Sequence, residues 1–316
     1  MADAEAILRA ARRPLVIGMG GGGDVVGALA SAELQRIYDG GEPLVGGISW
    51  ERRPIDPVPG PRRVDEIEDG EPIAPGVLLA GPRTRARGRE MYFAESRMAA
   101  FLDRPTVLVT IDDGPAGVAD GLAAAVEHLQ RDLLVLVDVG GDVLADGAEP
   151  GLRSPLCDAV LLAAASRLVA GGTPVLLGVF GVGCDAELTP EEVLSRLAEV
   201  AAAGGLAGAR GLTEAVAERL ERCIDLVPTE ASAQAVRAFR GVNGPVTIRG
   251  GARTLELSTV ASLTFYLDVE ITYEIVGRLA QAVAGARSLQ EANAALGALG
   301  VRTELDLELE AAARSD

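Results

Sequence analysis

Three strand-like segments of this chain each run into a loop that pairs glycine with aspartate: Leu15 to Met19 into Gly20-Gly21-Gly22-Gly23-Asp24, Leu133 to Val137 into Asp138-Val139-Gly140-Gly141-Asp142, and Val175 to Phe180 into Gly181-Val182-Gly183-Cys184-Asp185-Ala186-Glu187. Glycine lets a backbone approach a ligand closely, and carboxylates hold cations, hydroxyls or ammonium groups. Asp138 and Asp142 frame two glycines, so a turning backbone can bring both onto one hard divalent cation, magnesium being the natural choice. Asp185, with Glu187 beside it, offers a further ligand or a general base, and Asp142 joins it as a candidate catalytic carboxylate. The alternative for all these acids is that they cap turns and helices.

Gly18-Met19-Gly20-Gly21-Gly22-Gly23 matches GxGxxG between a strand and a helix, where amides can receive a phosphate. Gly20, Gly21, Gly22, Gly23 and Asp24 are therefore candidate cofactor- or ligand-binding residues. A nicotinamide site is disfavoured: Asp24 adds negative charge to the cradle, and Glu51 falls later than the roughly 20-residue spacing of the ribose-binding acid. Asp24 also suits the positive end of a helix dipole. The chain contains no lysine, so all 29 basic residues are arginine. That removes Walker-type and Schiff-base lysine chemistry. Positive charge near the acidic edge is assigned to Arg83 and Arg85, followed by Arg87 and Arg89, with a solvated loop as the alternative. Arg249 and Arg253 around Gly250-Gly251 read as surface arginines that could also clamp an anion.

Asp112-Asp113-Gly114 supplies another acidic pair. His128, the only histidine, falls late in a helix and so at the wrong end of a sheet for catalysis, which excludes histidine-dependent triads. Cys184 sits in a glycine turn with no histidine to activate it and is not expected to be a nucleophile. Asp306 is assigned to an exposed tail.

These residues need a scaffold, and the pattern supplies one. Strands are expected at Leu15 to Met19, Pro43 to Ile48, Val77 to Ala80, Thr106 to Ile111, Leu133 to Val137 and Val175 to Phe180, with helical runs between them. This predicts an α/β fold, a doubly wound and mainly parallel Rossmann-like sheet, followed by a more helical C-terminal region. Residues 1–204 form the sheet core with its glycine-rich loops, and residues 205–316 the helical region packed on the same domain. Helices are expected over Met1 to Arg13 and Ala116 to Gln130. Others start at Ser154-Pro155 and Thr189-Pro190-Glu191-Glu192, where a hydroxyl precedes proline, and run to about Ala170 and Ala203. Val246 to Ile248 and Thr254 to Leu257 suit a hairpin. The proline-rich stretch Ser49 to Glu71 reads as a surface excursion, either a binding loop or a linker.

A net charge of −17 argues against nucleic-acid binding, which needs clustered positive charge. No apolar run suits a membrane span or a secretory signal. Three widely spaced cysteines fit a reducing cytoplasm.

The combination of Gly20 to Asp24 with Val25-Val26-Gly27, Trp50-Glu51-Arg52-Arg53-Pro54-Ile55-Asp56-Pro57, and Asp138 to Asp142 with Ser154-Pro155-Leu156-Cys157-Asp158-Ala159 resembles domain-of-unknown-function family 1152, found in archaea and actinobacteria. The resemblance runs from about Pro14 to beyond Tyr266. It implies a soluble prokaryotic α/β protein and carries no activity. Three readings of function follow from the residues. The first is a divalent-metal-dependent hydrolase or transferase acting on a nucleotide or other phosphorylated small molecule. The second is a nucleoside or amino-acid lyase or cyclase without phosphate recognition, and the third a non-enzymatic small-molecule binding or sensing protein.

Overall fold

The structure, a computed structural model, describes residues 3–314. Eleven strands form: β1 Leu15–Gly18, β2 Leu44–Ile48, β3 Ile67–Ala74, β4 Val77–Ala86, β5 Thr106–Val109, β6 Leu134–Val139, β7 Val175–Phe180, β8 Leu206–Gly211, β9 Gly244–Ile248, β10 Arg253–Leu257 and β11 Leu263–Leu267. Nine of them make one sheet in the order β3-β4-β5-β2-β1-β6-β7-β11-β8, while β9 and β10 pair as a separate antiparallel hairpin. The central five, β5-β2-β1-β6-β7, are parallel.

Central strands covered on both faces should be apolar throughout rather than alternating. β1, β2, β5 and β6 are buried at every position. Their side chains divide between two cores. Leu15, Ile17, Leu134 and Leu136 pack under the helices Gly114–His128 and Pro155–Ala170. Val16, Val45, Val135 and Val137 pack under Asp24–Leu34 and Glu214–Ile224. The first helix spans Ala4–Ala10; Met1 and Ala2, which the sequence also assigned to it, lie outside the described residues.

From β1 the chain moves outward through β2 to β5, then crosses back to the other side of β1 to form β6. The strand order reverses between β1 and β6, and ligand crevices in open parallel sheets form at such a reversal, outside the carboxyl ends of the strands. The glycine loop after β1 and the Asp138 loop after β6 flank it.

The C-terminal region is mainly helical, and it also extends the sheet with β8 and β11. β8 reads Leu-Ala-Gly-Ala-Arg-Gly, with no β-branched residue to announce a strand; its pairing with β11 supplies the order. Two further features depart from the sequence reading. β3 begins inside the stretch Ser49 to Glu71, read as a surface excursion, and runs past its end. β4 runs on to Ala86 and is antiparallel to β5, with Val77 beside Val109 and Ala80 beside Thr106.

Candidate metal centre

Asp138 is the penultimate residue of β6 and is 0 % exposed. Neither of its carboxylate oxygens has a hydrogen-bond partner of good geometry, although the Gly141 and Val143 amides face it and favour its charge. The following turn depends on Gly140, whose φ is +127°: a Cβ there would lie 2.4 Å from the carboxyl carbon of Asp185. Glycine thus lets Asp185, from the loop after β7, lie against the backbone of the Asp138 loop. Asp142 then opens a short 3-10 turn, Asp142–Leu144.

The helix Pro155–Ala170 leads into β7, so its amino end sits at the same sheet edge, and Asp158 in its first turn points into the crevice. Carboxylate oxygens of Asp138, Asp142 and Asp158 lie within 4.8 Å of one another, and so do those of Asp142, Asp185 and Glu187. An all-oxygen set of this kind suits a hard divalent cation.

Taking charge out of water favours the neutral acid. Burial first, then the neighbouring carboxylates, raises the pKa of Asp142, Asp158 and Asp185 well above the ordinary carboxylate range. Asp138 is raised for the same leading reason. Glu187 is held by many donors: its Oε2 accepts from the Arg153 and Ser154 amides at 2.6 and 2.8 Å, and its Oε1 from the Ser154 hydroxyl at 2.6 Å. Arg253 approaches the same Oε1 at 3.4 Å.

Over these acids opens a cavity of about 530 Å³, bounded on one side by Gly20 to Gly23. Asp24, the first residue of the helix Asp24–Leu34, turns its Oδ2 back to accept the Gly20 amide at 2.9 Å. Burial, and secondarily Asp138, pushes its pKa up to about 8. A Cβ on Gly23 would meet Thr229 Cβ at 2.4 Å, so the segment carrying Thr229 and Glu230 packs directly onto the glycine loop and closes the far wall. Glu51 also lines the cavity; burial lifts its carboxyl to about 7 against the Ala94 amide it accepts.

Arg52 braces the loop from beneath. Its Nη2 donates to the Gly20 carbonyl at 2.8 Å, its guanidinium lies 4.1 Å from the Trp50 ring centroid, and Glu304 and Glu308 of the final helix, Glu304–Ala313, stand within 3.4 and 4.0 Å. Glu304 also accepts the Leu156 and Cys157 amides at 3.0 and 2.9 Å, capping the helix that carries Asp158. The last helix therefore fixes both the glycine loop and the acidic helix.

A family model described as protein of unknown function, DUF1152, matches residues 15–312, nearly the whole chain. The chain belongs to the DUF1152 family. No curated protein and no solved structure matches it. In this DUF1152 chain the crevice thus unites Gly20 to Gly23, Asp24, Asp138, Asp142 and Asp185, the residues that three separate strand-to-loop junctions pointed to.

Arg83 and Arg85 are not brought to it. Because β4 is antiparallel, its carboxyl end projects past the opposite edge of the parallel strands, where Arg85 pairs with Glu68 at 2.6 Å. The arginines at the cavity are Arg52, Arg53 and Arg249, with Arg253 behind Glu187. Asp112 and Asp113 follow β5, two strands from the reversal, and do not line the cavity. His128 ends the helix Gly114–His128, also away from the cavity. Cys184 is 0 % exposed and burial raises its thiol pKa, which removes it as a nucleophile. Asp306 does not lie on a free tail: it completes a capping box with Thr303 and accepts from Asn293 at 2.8 Å.

Sequence reasoning missed Asp158, Glu304 and Glu308 as parts of the site. Asp158 was signalled by its place one turn after Ser154-Pro155, since any helix preceding a parallel strand begins at the ligand-binding edge. Glu304 and Glu308 were signalled only by Thr303-x-x-Asp306 and their four-residue spacing.

Proposed function

We propose that this protein is a divalent-metal-dependent hydrolase or group transferase acting on a nucleotide or other phosphorylated small molecule. The observation that carries this reading is the pair Asp138 and Asp158, buried to 0 and 1 % exposure with unpaired carboxylate oxygens, beside Asp142 at the reversal of the strand order. Buried charge without a partner costs several kcal/mol, and a cation supplies the missing partner. Magnesium at Asp138 and Asp142 would draw in a phosphate oxygen, while Arg53 and Arg249 at the cavity wall would offset the remaining negative charge. Asp185 would take the proton of a water or hydroxyl as its oxygen bonds to phosphorus; the opposite phosphorus–oxygen bond breaks and its electron pair leaves with the departing group.

The test is a panel of nucleoside phosphates and sugar phosphates, each with magnesium, with manganese and with chelator, followed by phosphorus NMR. The reading expects a metal-dependent product that Asp142→Asn loses. If no phosphorylated compound is turned over or protects the protein against heating, the reading fails.

One observation favours nucleoside or amino-acid chemistry without phosphate: the Asp24 carboxylate already occupies the Gly20 amide that an incoming phosphate would use. In that reading Asp24 and Glu51 receive hydroxyl or ammonium donors. Asp24→Asn separates the two, strengthening nucleotide binding under the first and destroying binding of a neutral nucleoside or an amino acid under the second. Gly22→Val cannot serve here, because Gly22 has a φ of +52° and a β-branched residue would strain the loop whatever the ligand.

A further inference from the structure

Asp142 belongs to both carboxylate groups of the crevice. With Asp138 and Asp158 it faces the buried end of β6, and with Asp185 and Glu187 it faces the loop after β7; within each group the oxygens lie no more than 4.8 Å apart. Two oxygens on opposite sides of a cation are separated by twice the metal–oxygen distance, which is about 4 Å for magnesium and up to about 5 Å for calcium. Each group is therefore of a size to close around its own ion.

Charge points the same way. Arg52 at the cavity is committed to Glu304 and Glu308, outside the cluster, and Arg253 pairs only with Glu187 within it. Among the described residues no arginine carries an ion pair to Asp138, Asp142, Asp158 or Asp185. When ionised these four carry a charge of −4, which one divalent cation halves and two cancel. Asp138 and Asp158 supply the independent sign of a ligand, since both are more than nine-tenths buried and aimed into the cluster, with neither Asp138 oxygen nor Asp158 Oδ1 in a well-formed hydrogen bond. On the other side, Glu187 is fixed by the Arg153 and Ser154 amides and the Ser154 hydroxyl, the kind of outer support that orients a ligating carboxylate.

We propose that the crevice is built as a two-cation centre in which Asp142 bridges one ion held by Asp138 and Asp158 and a second held by Asp185 and Glu187. The inference rests on the metal-dependent reading above and deepens it: two adjacent cations would clamp a phosphoryl group, one activating the attacking oxygen and one steadying the leaving oxygen, with Asp185 holding the second ion instead of acting as the proton acceptor of the single-ion reading. The outer ion faces the cavity, because Asp142, Asp185 and Glu187 all line it, whereas Asp138 lies below.

The probe is manganese alone, added to chelator-stripped full-length protein and followed by calorimetry and low-temperature electron paramagnetic resonance. Two manganese ions per chain with an exchange-coupled spectrum, as for ions about 3.5–4 Å apart, are expected. Asp142→Asn should abolish the coupling, while Asp158→Asn and Asp185→Asn should each retain one uncoupled ion. The wild-type stoichiometry decides the matter even where a variant folds poorly. One ion per chain at saturation, or two without coupling, overturns the bridged pair and leaves the single-ion function standing. No manganese binding overturns both.

Discussion

Glu304 and Glu308 on the final helix and Asp138 and Asp158 beside the strand-order reversal are all buried, and the fold treats the two pairs in opposite ways. Glu304 receives two backbone amides and Arg52, and Glu308 receives the Trp50 indole and the Gly60 amide at 3.0 and 2.8 Å. Asp138 and Asp158 stand among other acids with oxygens unpaired. Glu304 and Glu308 are thus supplied with donors from the chain itself. Asp158 lines the cavity at the position where parallel sheets bind ligands and Asp138 lies beneath it, and under the proposed function these are the acids that a cation completes from outside.

The sharpest way to break this contrast is to remove a supplied acid. Glu304→Ala takes the nearer acid from the half-buried Arg52, leaving it Glu308 at 4.0 Å, and strips the cap from the Asp158 helix, so unfolding stability should fall by about 2–4 kcal/mol in urea, with or without metal. An unchanged midpoint would mean that the last helix does not brace the site. By contrast, Asp158→Asn in chelator should be neutral or stabilising, because it removes an acid whose charge burial disfavours and whose Oδ1 has no hydrogen-bond partner.

Gly27→Ala probes positioning without touching a carboxylate. A Cβ there would lie 2.3 Å from Val139 Cγ2, next to Asp138, so the helix Asp24–Leu34 must lift from β6. A cost of about 1–3 kcal/mol is expected, together with weaker manganese binding. Retained manganese affinity would show that the Asp138 loop does not rely on that packing.

A smaller effect concerns pH. Asp24 is raised to about 8 and Glu51 to about 7, both chiefly by burial. Such acids bind their proton more tightly in the folded state, so in chelator their contribution is greatest below the ordinary carboxylate pKa of about 4. It declines as pH climbs toward 8 and is flat above. Asp24→Asn should therefore unfold at higher urea than the wild type at pH 9 but not at pH 4. Parallel curves would place Asp24 in a wetter setting than its burial indicates.

The least effect is expected from Arg85→Ala. The pair it forms with Glu68 is solvent-screened, so the urea midpoint should hardly move, and manganese and nucleotide binding should be unaltered. Loss of nucleotide binding would return Arg85 to the site.

How much of this was legible follows from how each residue declares itself. The parallel core was readable because buried strands are continuous apolar runs ending in glycine or aspartate, as at Val16-Ile17-Gly18 and Leu136-Val137-Asp138. The convergence of the Gly20, Asp138 and Asp185 loops then follows from parallel strands alone. Strand direction was not readable: β4 looks like any other apolar run, and its antiparallel placement is what moves Arg83 and Arg85 to the far edge. Nor was the role of the last helix, since only tertiary packing brings Glu304 against Leu156 and Cys157, some 150 positions earlier.

The central claim is that the unsupplied acids hold a metal. Anomalous diffraction from crystals grown with manganese tests it most directly. The account predicts peaks among Asp138, Asp142, Asp158, Asp185 and Glu187, and none at Glu304 or Glu308. Ordered carboxylates with no anomalous density between them at saturating manganese would contradict it.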